Sequence, residues 1–113
     1  MKLRFLIAGL FVLLVSAPSF SANTDGNTLF KWCSLDRDGT AALRCLVFVD
    51  GVFEGIQWSE VGGQAKPSFC PPANANLAQY VDIVVLWLKN NPGLRTVPAA
   101  AVVQSALRQA FPC

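Results

Sequence analysis

Four cysteines, a pair of carboxylates one helical turn apart and a complete absence of histidine set the chemistry open to this 113-residue chain. Histidine is the commonest general base and the commonest metal ligand, so most hydrolase and zinc chemistry lacks its central part. A nucleophilic cysteine needs a base to draw off its proton, and no histidine is there to serve. Cys33, Cys45, Cys70 and Cys113 include no close C-x-x-C pair, so a four-cysteine zinc site fits poorly. Asp50 and Glu54 stand one helical turn apart and could form a glycosidase-like pair. Nothing apolar beside them would raise one pKa, and such pairs ordinarily form a solvated face. No phosphate-binding glycine loop and no serine triad can be assembled. The chain is expected to be no enzyme, with no catalytic residue, no cofactor and no metal.

The compartment gives the cysteines their use. Lys2 and Arg4 precede an apolar run from Phe5 to Val15, and Ser19-Phe20-Ser21 offers small residues where a signal peptidase reads. Residues 1–21 are therefore expected to be a secretory signal peptide, cut after Ser21 or, alternatively, after Ala22. A membrane anchor would need about 20 apolar residues, more than this run supplies. No cysteine follows the run closely enough for a lipid anchor. Cleavage removes Lys2 and Arg4, so the formal net charge drops from +2 to zero. A neutral domain has no electrostatic footprint for nucleic acid, and no membrane association is expected after cleavage. Residues 22–113 then form one small exported domain, in which an even number of cysteines points to disulfides.

Helical periodicity positions those cysteines. Asn23 to Asn27 is expected to fray, and a short helix to follow from Thr28 to Cys33. Ser34 to Gly39 reads as a turn, with Asp38 or Thr40 able to cap a second helix over Ala41 to about Trp58. Winding that helix puts Cys45, Phe48, Val49, Val52 and Ile56 on one face and Asp50, Glu54 and Gln57 opposite. Gly51 and Gly55 inside it cost about 1 kcal/mol each against alanine, which predicts close approach of another backbone, from this chain or a second copy. Ser59 to Ala75, with its glycines and prolines, reads as a loop. Asn76-x-x-Gln79 resembles a capping box for a third helix, Leu77 to about Asn90. Its core face is Leu77, Tyr80, Val81, Val84, Val85 and Leu88. A fourth helix from about Pro98 to Phe111 carries a stripe of small residues, Ala99, Val102, Val103, Ala106 and Ala110. Small residues let the last two helices pack as an antiparallel pair. The fold class is all-α, a small disulfide-stapled bundle of about four helices.

Four cysteines allow three pairings. An antiparallel hairpin brings Cys70, before the third helix, to Cys113, after the fourth, and leaves Cys33 for Cys45. The closed loops hold 13 and 44 residues, which by chain entropy gives roughly 3 and 4 kcal/mol. With chemistry excluded, surface remains. Leu86 projects into the polar arc of the third helix, Ile83 and Trp87 widen its apolar side, and Val47 stands beside Asp50 and Glu54. Either another helix covers these residues or they form a protein interface.

Trp32-Cys33, then Cys45-Leu46-Val47-Phe48-Val49-Asp50-Gly51-Val52-Phe53-Glu54, Phe69-Cys70-Pro71-Pro72, Gln79, Tyr80 to Pro92, and Ala106-Leu107 with Ala110-Phe111-Pro112-Cys113 together resemble the Rap/Tai family of type VI secretion immunity proteins. The departures are Val47, where the family usually has glycine, and Ala75-Asn76, where it commonly has Val-Thr. The resemblance implies a periplasmic, often dimeric helical protein that binds a peptidoglycan amidase effector and occludes its active site. A protruding loop would plug the cleft. The candidate plugs are Ser59 to Ser68 and the turn Asn90 to Val97, with Glu60, Gln64, Lys66, Asn91 and Arg95 as the polar residues able to reach, and Leu86 adding apolar contact. The alternative is a general periplasmic stress protein or chaperone of similar build. Such acid-activated chaperones tend to be rich in charge, and only 14% of this chain is charged. A family member kept for an unrelated role, without an effector, is a further possibility.

Overall fold

The structure, a computed structural model, describes residues 24–34, 39–63 and 66–113. The expected signal peptide, Asn23, Asp38 and Gln64 lie outside the described residues. The expected all-α bundle is found: α1 (Gly26–Ser34), α2 (Thr40–Val61), α3 (Leu77–Asn90) and α4 (Ala99–Ala110), with a single 3-10 turn at Pro92–Leu94. The antiparallel α3–α4 pair makes the most extensive helix contact, and α1 lies across the start of α2.

Each helix begins for a local reason. The α3 capping box is complete: the Asn76 side chain accepts from the Gln79 N–H at 3.1 Å, and the Gln79 side chain accepts from the Asn76 N–H at 2.9 Å. Thr40 does not cap α2, which starts instead after Gly39, a residue at φ 120° where an L side chain would be strained. Helix α2 also continues past Trp58 to Val61, so Ser59 to Val61 are helical rather than loop. Pro98 precedes α4 as its cap, and Ala99 is the first helical residue.

The start of the domain corrects the sequence reading. Thr24 to Asn27 do not fray, and α1 starts two residues before Thr28. Asp25 caps α1 by accepting the Thr28 N–H at 2.8 Å, and this bond with the Thr28 hydroxyl holds the carboxyl below its ordinary value. The chain here lies against the segment before α4: Ala99 N–H donates to Thr24 O (2.7 Å), Gly26 N–H to Val97 O (3.0 Å) and Asn27 N–H to Arg95 O (2.8 Å). Asp25 and Pro98 form an antiparallel bridge. A side chain on the buried Gly26 would put its Cβ 2.8 Å from the Arg95 carbonyl oxygen, so glycine is what permits this approach.

The core joins Leu29, Cys45 and Val49 to Tyr80, Val84 and Leu88 of α3 and Ala99, Val102, Val103, Ala106 and Leu107 of α4. Leu107 takes the core place expected of Ala110, which sits exposed in the last turn. Phe69, in the proline-flanked loop, is also buried. It packs in an aromatic row with Phe53 (5.8 Å) and Tyr80, which stacks on Phe53 at 4.6 Å and meets Phe111 edge-on at 6.0 Å. Both expected disulfides are present, Cys33–Cys45 with Cα atoms 5.1 Å apart and Cys70–Cys113 at 5.0 Å. The second is reinforced by Cys70 N–H donating to Phe111 O at 2.8 Å.

Candidate functional site

Both disulfides consume the thiols: no cysteine is left free to act as nucleophile or metal ligand. The Cys33–Cys45 bridge lines a groove of about 340 Å³ between α1, α2 and α3, together with Trp32, Leu46, Val81 and Val85. Among the described residues no group of three or more histidines, cysteines or acids could hold a metal. No helix among them is long and apolar enough to cross a membrane. Asp50 and Glu54 stand exposed on α2, in the solvated setting expected of them.

What the helices present is surface, and it divides unevenly. Ile83 and Trp87 pack against the core, so the widened apolar side of α3 is partly covered from within the chain. Leu86 is not; it stays 59% exposed above a groove of about 260 Å³ lined by Ile83, Trp87, Asn90, Ala106, Gln109 and Ala110. On α2 Leu43 and Val47 are open at one end, while Trp58 at 80% exposure and Val61 at 77% are open at the other. The last two escaped the sequence reading, which ended the helix at Trp58. Winding the helix as read already sets Trp58 beside Glu54, and three residues further would have added Val61.

The two expected plug segments are built differently from their polar composition. Glu60 lies at the end of α2 and its carboxylate accepts the Ser68 N–H at 2.7 Å, closing the loop back onto the helix. Gln104 of α4 donates to the Ser68 hydroxyl at 3.3 Å from the other side. In the second segment the Asn91 side-chain amide donates to Trp87 O at 2.8 Å, ending α3. Arg95 Nε donates to Leu88 O at 2.7 Å, with the guanidinium 4.0 Å from the centre of the Phe30 ring. Loop N–H groups and the last-turn carbonyls of a helix lack intrahelical partners, so polar side chains turn inward to them. Glu60, Asn91 and Arg95 are thus half-buried braces, while Lys66 is exposed on its loop. The structure does not gather the five described contact residues, Glu60, Lys66, Leu86, Asn91 and Arg95, into one cluster of side chains. It supplies segments tied back to the helices at Ser68, Asn91 and Arg95, and three apolar patches, two on α2 and one on α3.

A family model described as Rap1a immunity proteins matches residues 25–113. No curated protein and no solved structure matches the chain.

Proposed function

The chain belongs to the Rap1a immunity protein family, and we propose that it is a periplasmic, non-enzymatic protein that binds a peptidoglycan amidase effector of a type VI secretion system and occludes its active site. The family match over residues 25–113 carries this reading. Two disulfides support an oxidising compartment such as the periplasm, reached by cleavage of the expected signal peptide after Ser21. Two copies of the chain form a dimer in this reading, as the resemblance implies.

Occlusion needs a protrusion that keeps its shape when it enters a cleft. Ordering a loose loop on binding costs roughly 0.5–1.5 kcal/mol for each immobilised long side chain, so a loop already braced starts ahead. Glu60 holding Ser68, and Asn91 and Arg95 holding the end of α3, provide that bracing. Lys66, exposed on the first loop, is then the side chain that reaches into the amidase from there, and Leu86 adds apolar contact beside the second.

An amidase with a Cys–His pair encoded beside this gene would support the reading. Cells exporting that amidase to their periplasm should survive when the full chain is produced with it and lyse when residues 1–21 are deleted from the chain. Lysis despite abundant, exported full-length protein would refute the proposal.

A further inference from the structure

Six residues of α2 form one outward ridge. At 100° and 1.5 Å per residue, Leu43, Val47, Asp50, Glu54, Trp58 and Val61 fall within an arc of about 80° and a length of about 27 Å. All six are exposed. The order is apolar, acidic, apolar: Leu43 and Val47 at one end, the two carboxylates in the middle, Trp58 and Val61 at the other. Gly51 and Gly55 border the ridge, and a Cβ on either would meet nothing within 4 Å. Among the described residues, therefore, no part of this chain makes the close backbone approach that two mid-helix glycines, at about 1 kcal/mol each, would otherwise reflect.

Symmetry and charge decide what covers the ridge. A closed dimer would meet it through a two-fold axis, in which both copies present the same patch to each other. An antiparallel pairing that buries both apolar ends has its midpoint near residue 52, which sets Asp50 and Glu54 against the same two residues of the copy. A parallel pairing in register sets each carboxylate against its own twin. Either way four negative charges converge where the interface is driest, and like charges on facing positions repel. Arg44 lies on the flank of the helix, 5.9 Å from the Trp32 ring centre. A partner that sets a cationic side chain between two apolar ones meets the whole ridge favourably. Trp58 is an anchor of the type that concentrates binding energy at interfaces.

We propose that the outer face of α2 is a docking surface for a basic patch on the effector, with a lysine or arginine received between Asp50 and Glu54 and apolar contacts on either side. The proposal rests on the effector-binding reading. The ridge runs directly into the loop that carries Lys66, so one partner surface can engage both.

The test uses the oxidised mature protein and the amidase encoded beside its gene, with binding measured by calorimetry across a range of salt. Asp50→Lys combined with Glu54→Lys should weaken binding roughly a hundredfold and Trp58→Ala roughly tenfold. Wild-type affinity should fall with added salt, and the charge-reversed protein should lose that dependence. Both substitutions lie on solvent-facing helix positions, so unchanged circular dichroism separates lost docking from lost folding. Equal binding by the charge-reversed protein would overturn the ridge and leave the functional reading intact. A wild-type dimer split by Trp58→Glu, with amidase binding undiminished, would assign the ridge to a second copy and also overturn it. No amidase binding by the wild-type protein would overturn the functional reading and the ridge with it.

Discussion

Replacing Gly26 by alanine should destabilise the domain far more than replacing either glycine inside α2, although helix propensity alone favours alanine at all three. The added Cβ at residue 26 would lie 2.8 Å from the Arg95 carbonyl oxygen, 2.9 Å from its Cα and 3.1 Å from its carbonyl carbon. Reaching ordinary contact near 3.4 Å requires a shift of about 0.6 Å between two backbones. Neither can shift freely: Gly26 N–H is bonded to Val97 O, Asn27 N–H to Arg95 O, and Arg95 Nε to Leu88 O. Overpacking of this kind costs roughly 1–3 kcal/mol, and weakening one of these bonds adds about 1 kcal/mol. The expected loss is about 3 kcal/mol, which for a domain of this size lowers Tm by roughly 12–24 °C. Gly51→Ala and Gly55→Ala meet no atoms within 4 Å and should each raise Tm by roughly 4–8 °C. Thermal melts of the oxidised mature proteins, followed by far-ultraviolet circular dichroism, measure all three. A Gly26→Ala protein within about 0.5 kcal/mol of wild type would refute the packing account of the α1 entry.

Asp25 should make the domain acid-sensitive: its carboxyl is held below the ordinary 3.8 by the Thr28 bond, so its stabilisation is present above that value and is lost as pH falls through the lower folded value. Asp25→Asn keeps a capping side chain and should flatten that acid limb while leaving neutral-pH stability nearly unchanged, as pH-dependent melts would show. Phe69→Ala should cost roughly 3–5 kcal/mol in denaturant unfolding, because the ring is buried against Phe53 at 5.8 Å; a loss under 1 kcal/mol would place the ring outside the core. Removing the longer bridge with Cys70→Ser and Cys113→Ser should cost roughly 4 kcal/mol, read by the same unfolding curves. Lys66→Ala should leave Tm within about 0.5 kcal/mol of wild type yet weaken amidase binding about tenfold, and unchanged affinity would remove Lys66 from the interface.

The sequence was most legible where the signal was local. Asn76 and Gln79 form their capping box within four residues of one another, and α3 has the boundaries their positions predict. The cysteine pairing followed from topology alone, since an antiparallel α3–α4 pair necessarily brings its outer ends together. Legibility failed where the partner was distant. Thr24 to Asn27 are polar and look loose, yet the carbonyls and N–H groups that hold them belong to residues 95–99. Phe69 sits among prolines with no periodicity to mark it as core. Ala110 fits the small-residue stripe of α4 by angle but lies in its last turn, where it lines the open groove beside Leu86 instead. At the candidate site the exposed apolar residues Val47 and Leu86 were readable from their places among polar neighbours. Glu60, Asn91 and Arg95 were read as reaching outward; the Ser68 N–H of the first loop and the unpaired last-turn carbonyls of α3 draw them inward instead.

The central claim, inhibition by stoichiometric binding without catalysis, is tested most directly by titrating the purified amidase with the oxidised mature protein while following release of peptidoglycan fragments. The account predicts that cleavage falls linearly and stops when one binding site is supplied per enzyme, with no consumption of the inhibitor. Undiminished cleavage in the presence of excess folded protein would contradict it.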